Sequence, residues 1–119
     1  MTSLFSYVEL HTQDVEKSQG FYAELFGWKF AKAPTPPGVT YFGIKGRAAA
    51  EEGGLMKDDV PAHWLAYVHV EDIAEAFAKA QKLGAKVLQP ITKVGNEGTM
   101  AKLSDPTGAV FALWQPPKA

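Results

Sequence analysis

Residues 11–27, HTQDVEKSQGFYAELFG, line up with residues 69–84, HVEDIAEAFAKAQKLG. His11 and His69 are 58 positions apart, as are Asp14 and Asp72, and Val15 and Ile73. Gly27 and Gly84 are 57 apart, so the second copy is one residue shorter within its helix. Each copy reads as strand, turn, helix cap, amphipathic helix and terminating glycine. A strand–helix unit that occurs twice in 119 residues points to two matching halves that must pack together, with any pocket built between them.

The first strand spans about Leu4–His11, and alternation puts Phe5, Tyr7, Glu9 and His11 on one face. Asp14 is a good helix N-cap: its carboxylate accepts from exposed backbone N–H groups and complements the helix dipole. The helix is expected to run to about Phe26, burying Val15, Phe21 or Tyr22, Leu25 and Phe26, and to stop at Gly27. Gly20 weakens that helix by about 1 kcal/mol relative to alanine, which marks it as a point of close backbone approach. A strand at Trp28–Ala31, a loop at 33–38 (APTPPG), a strand at Val39–Lys45 and a turn at Gly46-Arg47 follow. Ala48–Met56 reads as a frayed strand with a mobile glycine pair, and Lys57–Ala62 as the connection between halves.

In the second half, Trp64–Val70 is a strand. Asp72 caps a helix bearing Ile73, Phe77, Ala80 and Leu83 at helical spacing, and Gly84 ends it. Lys86–Leu88 is a short strand, and Pro90–Gly98 a loop whose VGNEG segment (94–98) reads either as a lid or as a hairpin connection. Thr99–Ser104 and Ala109–Trp114 form a hairpin about DPTG (105–108), with proline and glycine at the turn positions that favour them. Each half therefore reads β-α-β-β-β. The chain is one α+β domain, with module 1 at about residues 1–57 and module 2 at about 63–119.

Composition removes several classes of function. Formal net charge is -1, which argues against a nucleic-acid or anionic-membrane partner. With no cysteine there is no disulfide, thiolate metal site or cysteine nucleophile. MTSLFSYVELH lacks the features of a signal peptide, and no stretch reaches membrane-spanning length, so a cytoplasmic location is expected. G-x-S-x-G, a phosphate-cradling glycine loop and a His-x-x-x-His pair are all missing, which removes support for acyl transfer and nucleotide hydrolysis.

The segments DVEKSQGFYAELFGW (14–28), VEDIAEAFAKAQKLGAKV (70–87) and LSDPTGAVFALWQP (103–116) together resemble the vicinal-oxygen-chelate superfamily, which includes glyoxalase I, bleomycin-resistance proteins and extradiol dioxygenases. The resemblance implies the glyoxalase/bleomycin-resistance fold, two βαβββ modules forming a curved mixed sheet around a cleft. It also implies a homodimer. Metal-dependent members place four His or Glu ligands on inward-facing strand positions, two per module. Here those positions fall at Tyr7, near Leu55, at Leu65 and at Ala112, with Glu51 or Glu52 as alternatives for the second. Leucine and alanine carry no donor atom, and a divalent site needs about three or four protein ligands, so no metal and no other cofactor is expected.

Glu9 and Tyr67 are equivalent across the repeat, as are His11 and His69, and all four share the inward parity. A carboxylate in mid-strand must face water, a partner or a pocket, because burying it unpaired is costly. An intramodule salt bridge is the alternative for Glu9, and partial solvation at strand ends is the alternative for the histidines. Trp114 shares the parity of Ala112, and Tyr41 and Met100 lie on strands able to line the same cleft; Trp28 and Trp64 read as packing residues and His63 as surface. Two functions stay open. One is a protein that binds or sequesters a small, partly aromatic organic molecule through Tyr7, Glu9, His11, Tyr67, His69, Met100 and Trp114. The other is a lyase, isomerase or hydrolase with Glu9 as general base, with or without an atypical metal site.

Overall fold

A computed structural model describes residues 5–46 and 53–117. Leu4, Arg47 and residues 48–52, including Glu51 and Glu52, lie outside the described residues, as do the expectations that fall on them. Two compact units divide the chain, one spanning Tyr7–Leu65 and the other built from Ala66 onward together with residues 5 and 6 at the start of the first strand.

The first unit contains β1 (Phe5–Thr12), α1 (Val15–Phe26), β2 (Lys29–Lys32), β3 (Tyr41–Lys45) and β4 (Gly53–Lys57). Its strands lie in the order β2-β3-β4-β1, with β1 and β4 parallel and the other pairs antiparallel. Asp14 caps α1 by accepting from the Lys17 N–H at 3.0 Å. Gly27 ends it in the left-handed region at φ 74°, donating to the Ala23 carbonyl at 2.8 Å. The core is Leu10, Ile44 and Leu55, closed by Val15 and Tyr22 of α1 together with Trp28, Phe30 and Phe42.

The inward stripe of α1 is therefore Val15 and Tyr22, which decides between Phe21 and Tyr22, while Leu25 and Phe26 are exposed, contrary to expectation. At about 100° per residue, Val15 and Tyr22 fall within about 20° of each other and Phe21 lies about 100° from Tyr22; Phe26 returns to the same line at the last turn, where it remains exposed with its ring 6.3 Å from Tyr22 and 5.1 Å from Trp28. Tyr22 is the hub of an aromatic group. It stacks on Trp28 at 5.2 Å between centroids and meets Trp64 edge-on at 5.6 Å. Trp28 and Trp64 are thus packing residues, as read from the sequence. Gly53 and Gly54 are not a mobile pair: both are buried inside β4.

The second unit contains β5 (His63–His69, whose first residues pack with the first unit), α2 (Ile73–Lys82), β6 (Lys86–Val94), β7 (Gly98–Ser104) and β8 (Val110–Gln115). Strand order is β5-β8-β7-β6, with β5 and β8 parallel and the rest antiparallel. This repeats the plan of the first unit. Ile73 of α2 packs on Ala101, Leu103 and Leu113, with Phe77 and Ala80 beside them. Leu83, expected in that stripe, is exposed at the helix C-cap. The DPTG turn is held by Asp105, whose carboxylate accepts from the Thr107 and Ala109 N–H groups at 2.8 and 3.0 Å. The Thr107 hydroxyl and these backbone donors hold the Asp105 carboxyl below the usual carboxylate range.

Two sequence expectations need correction. The strand expected at Lys86–Leu88 runs on through Pro90 to Val94, leaving only a tight turn in which the Glu97 N–H donates to the Val94 carbonyl at 2.9 Å. Pro90 is tolerated because β6 is the edge of its unit's strand order and shifts register on both sides of Gln89. The lid reading of 94–98 falls with it. Gly20 is the second: a Cβ added there meets nothing within 4 Å. Gly20→Ala is accordingly expected to raise the unfolding free energy by about 0.5–1 kcal/mol, read as a higher urea midpoint at unchanged slope.

Candidate functional site

Strand alternation and register define which side chains share the helix-distal face of module 1. Leu10 enters the core against α1, so Tyr7, Glu9 and His11 project from the opposite side of β1. Glu9 pairs with Gly54 and His11 with Met56 across the parallel ladder, while Gly54 pairs with Gly43 and Met56 with Tyr41 across the antiparallel one. Tyr41, Gly54 and Met56 therefore lie on the same face as Glu9 and His11.

These groups form one hydrogen-bonded chain. His11 Nε2 lies 2.7 Å from Glu9 Oε1, and His11 Nδ1 lies 2.9 Å from Asp58 Oδ2. Tyr41 Oη lies 2.7 Å from Glu9 Oε2 and 2.9 Å from Tyr7 Oη. Glu9 and His11 are only 6% and 3% exposed, whereas Asp58 is half-buried at the rim. With both carboxylates ionised, the ring serves both only as an imidazolium that donates from each nitrogen. Burial first, and then the negative charge of Glu9, push the Tyr41 phenol far above its ordinary range, so Tyr41 stays neutral. His63 covers the imidazole, stacking on His11 at 5.0 Å and 11° between planes, and donates from Nδ1 to the Pro61 carbonyl at 2.8 Å.

Gly54 makes this arrangement possible. A Cβ at Gly54 would overlap the Tyr41 hydroxyl and crowd Tyr7, so the bare backbone of β4 is the space that the phenol occupies. Gly54→Ala is expected to displace Tyr41 from Glu9 and to destabilise the protein by about 1–3 kcal/mol, the cost of a buried charged group losing a partner. Urea unfolding measures the loss. The Tyr41 absorbance in a solvent-perturbation experiment should report the phenol moving toward water.

Module 2 presents different chemistry at the equivalent places. Tyr67 pairs with Ala112, His69 with Trp114, and Trp114 with Met100. The Tyr67 and Trp114 rings meet edge-on at 6.1 Å, and Gln89 Nε2 approaches the Met100 sulfur at 3.2 Å. Gly98 lies under the Trp114 indole, which a Cβ there would strike. His69 Nε2 sits 3.2 Å from Oε1 of an exposed Glu71, the partly solvated strand-end setting read as its alternative. His11, by contrast, is a buried member of a network.

The register also corrects one metal position. Leu55 is fully buried on the helix side, facing Leu10 and Phe42, so the helix-distal residue of β4 is Gly54. Gly54 and Ala112 are 58 apart and pair with the equivalent residues Glu9 and Tyr67. The four positions thus hold Tyr7, Gly54, Leu65 and Ala112, and three of them carry no donor atom. That donor set does not fit the divalent ion of metal-dependent members. Among the described residues no group of three or more His, Asp or Glu is placed to hold a metal. Sequence reasoning missed Asp58, read only as part of a connector, and placed His63 at the surface; neither lies in the repeat that carried the signal.

Two βαβββ modules, each with a helix on one strand face and polar or aromatic groups on the other, define a protein of the glyoxalase class. The chain belongs to the Glyoxalase/Bleomycin resistance protein/Dioxygenase superfamily, whose family model matches residues 4–113. It is similar to the Mycobacterium tuberculosis protein named "Putative glyoxylase CFP32", with 31% identity over 92% of this chain and 44% of that one. It is also similar to the anthracycline biosynthesis protein DnrV of Streptomyces peucetius, with 28% identity over 92% of this chain and 46% of that one. The chain spans less than half the length of either relative. In fold it matches the crystal structure of methylmalonyl-CoA epimerase from Mycobacterium tuberculosis, with a TM-score of 0.70 and 12% identity over 99% of this chain and 94% of that one.

Proposed function

We propose that this protein binds a small, partly aromatic organic molecule without the metal of the metal-dependent members. The observation that carries this reading is the substitution pattern on the helix-distal faces: glycine, leucine and alanine stand where cation ligands would be needed, and the face of module 2 carries the apolar and aromatic groups Tyr67, Trp114 and Met100. A flat ligand gains from stacking on such groups. Tyr7, Glu9, His11 and His69 supply the polar contacts in this reading. The anthracycline-biosynthesis name of one relative supports an aromatic ligand class. Homodimerisation belongs to the same proposal, and the exposed Phe21, Leu25 and Phe26 on α1 offer apolar surface that a second chain would cover.

A titration with anthraquinone-2-sulfonate tests it. Saturable quenching of tryptophan fluorescence is expected, lost in Trp114→Phe and kept in Trp64→Phe, because Trp64 belongs to the aromatic group on α1. Quenching that survives Trp114→Phe unchanged would place the ligand elsewhere. Incubation with Ni, Zn, Mn or Fe followed by dialysis is expected to leave no stoichiometric metal; retention that Glu9→Gln abolishes would overturn the metal-free reading.

A second reading is favoured by the hydrogen-bonded chain in module 1. Glu9 lies between an imidazole and a phenol, which is a setting for acid–base chemistry. Solved structures of the same fold include methylmalonyl-CoA epimerase in complex with methylmalonyl-CoA. Loss of the α-proton NMR signal of methylmalonyl-CoA in D2O, abolished by Glu9→Gln, is the outcome this reading requires for that substrate.

A further inference from the structure

The Tyr41 hydroxyl has one proton and two acceptors within reach, Glu9 Oε2 at 2.7 Å and Tyr7 Oη at 2.9 Å. With Glu9 ionised, the charged and closer acceptor takes the Tyr41 proton, and Tyr7 donates its own to the Tyr41 oxygen. With Glu9 protonated on Oε2, each link reverses. Glu9 then donates to Tyr41, Tyr41 donates to Tyr7, and the Tyr7 proton turns off the Tyr41 oxygen. Both protonation states of Glu9 keep every link of the chain made. A static ion pair has no need of that property.

From this geometry we propose that Tyr7, Tyr41 and Glu9 form a proton relay, with His11 and Asp58 as positioning residues behind it. The inference rests on the acid–base reading and extends it by moving the contact with substrate from Glu9 to Tyr7. A weakly acidic group of a bound small molecule gives its proton to Tyr7 Oη. The Tyr7 proton passes to Tyr41 Oη, and the Tyr41 proton passes to Glu9 Oε2. One proton leaves the ligand and one arrives on Glu9, with no change of oxidation state, and the reverse sequence returns it. The transfers are concerted because burial and the Glu9 charge disfavour a free Tyr41 phenolate.

His11 completes the device from the other side. It holds Glu9 Oε1 through Nε2 in both states, and Asp58 on Nδ1 fixes the ring. Among the described residues, His11 on its own strand and Tyr41 on β3 face Glu9. His11 is faced by Asp58 from the connector and by His63 at the start of β5.

Carbon-13 NMR of the ligand-free protein, with labelled Glu and Tyr, tests the relay. As pH is lowered, the Tyr7 Cζ signal is expected to move in the same step as the Glu9 carboxyl signal, because Tyr41 turns its proton from one to the other. In Tyr41→Phe, Glu9 should still titrate while Tyr7 loses that step. A Tyr7 signal that stays fixed while Glu9 titrates, or that follows Glu9 equally in Tyr41→Phe, overturns the proposal. Should Tyr41→Phe fail to fold, the wild-type protein still decides: Tyr7 must move with Glu9 while Tyr22, in the aromatic group on α1, does not. No ligand is present in these measurements. Failure of the relay therefore leaves the epimerase-type assay and the fluorescence titration standing, and the failure of the acid–base reading is read separately, in the epimerase-type assay.

Discussion

Placing Glu9 and His11 almost out of solvent on one face of β1 imposes a demanding requirement on module 1. Each buried ion costs several kcal/mol of lost hydration, and only close, well-directed partners offset that loss. The surrounding features of module 1 can be understood as meeting this requirement. Gly54 gives up its side chain so that Tyr41 can reach Glu9. The connector after β4 is drawn against the end of β1, with the Asp58 N–H donating to the Thr12 carbonyl at 2.9 Å and Gln13 Nε2 donating to the Val60 carbonyl at 3.0 Å. Those bonds bring the Asp58 carboxylate to His11. A segment that joins two modules is in this way also part of the site.

The two modules share a backbone plan and differ in chemistry. Caps, helix, strand order and the parallel pairing of first and last strands repeat. The side chains on the helix-distal faces do not. Glu9 is matched by Tyr67, Gly54 by Ala112, and Met56 by Trp114. Fifty-eight residues beyond Asp58 stands Pro116, so the histidine of module 2 has no acid in the corresponding place. The helix-distal face of module 1 carries charged groups and that of module 2 aromatic ones, so one backbone plan supports two different face chemistries.

How much of this was legible in the sequence follows from the range over which each feature is decided. Asp14 and Asp72 as caps, Gly27 and Gly84 as helix ends, and the DPTG hairpin are local, and each is found where the sequence puts it. The parity of β1 is local too, so Glu9 and His11 were correctly placed on one face. Errors arose where neighbours in space decide. Pro90 looked like a strand breaker because edge position in a sheet is invisible along the chain. Leu55 was one residue out of register because β4 is fixed by its pairing with β1 and β3, and its own alternation is blurred by two glycines. Phe21 and Tyr22 are equally apolar by composition, and only the packing of Trp28 and Trp64 selects Tyr22. Asp58 carried no periodic signal at all.

Phenols rather than carboxylates beside Glu9 give the face its electrostatic character. A second carboxylate at position 7 or 41, within hydrogen-bond distance of the first, would have to hold a proton or share a cation, because two like charges so close cannot both ionise without compensation. Tyrosine supplies oxygen donors and acceptors at those places without adding charge, and burial keeps Tyr41 in its neutral form. The one imidazole ring serves both Glu9, through Nε2, and Asp58 at the half-buried rim, through Nδ1. Where metal-dependent members carry ionic ligands this chain has Tyr7, Gly54, Leu65 and Ala112, while Glu9 keeps an imidazole and a phenol within hydrogen-bond distance.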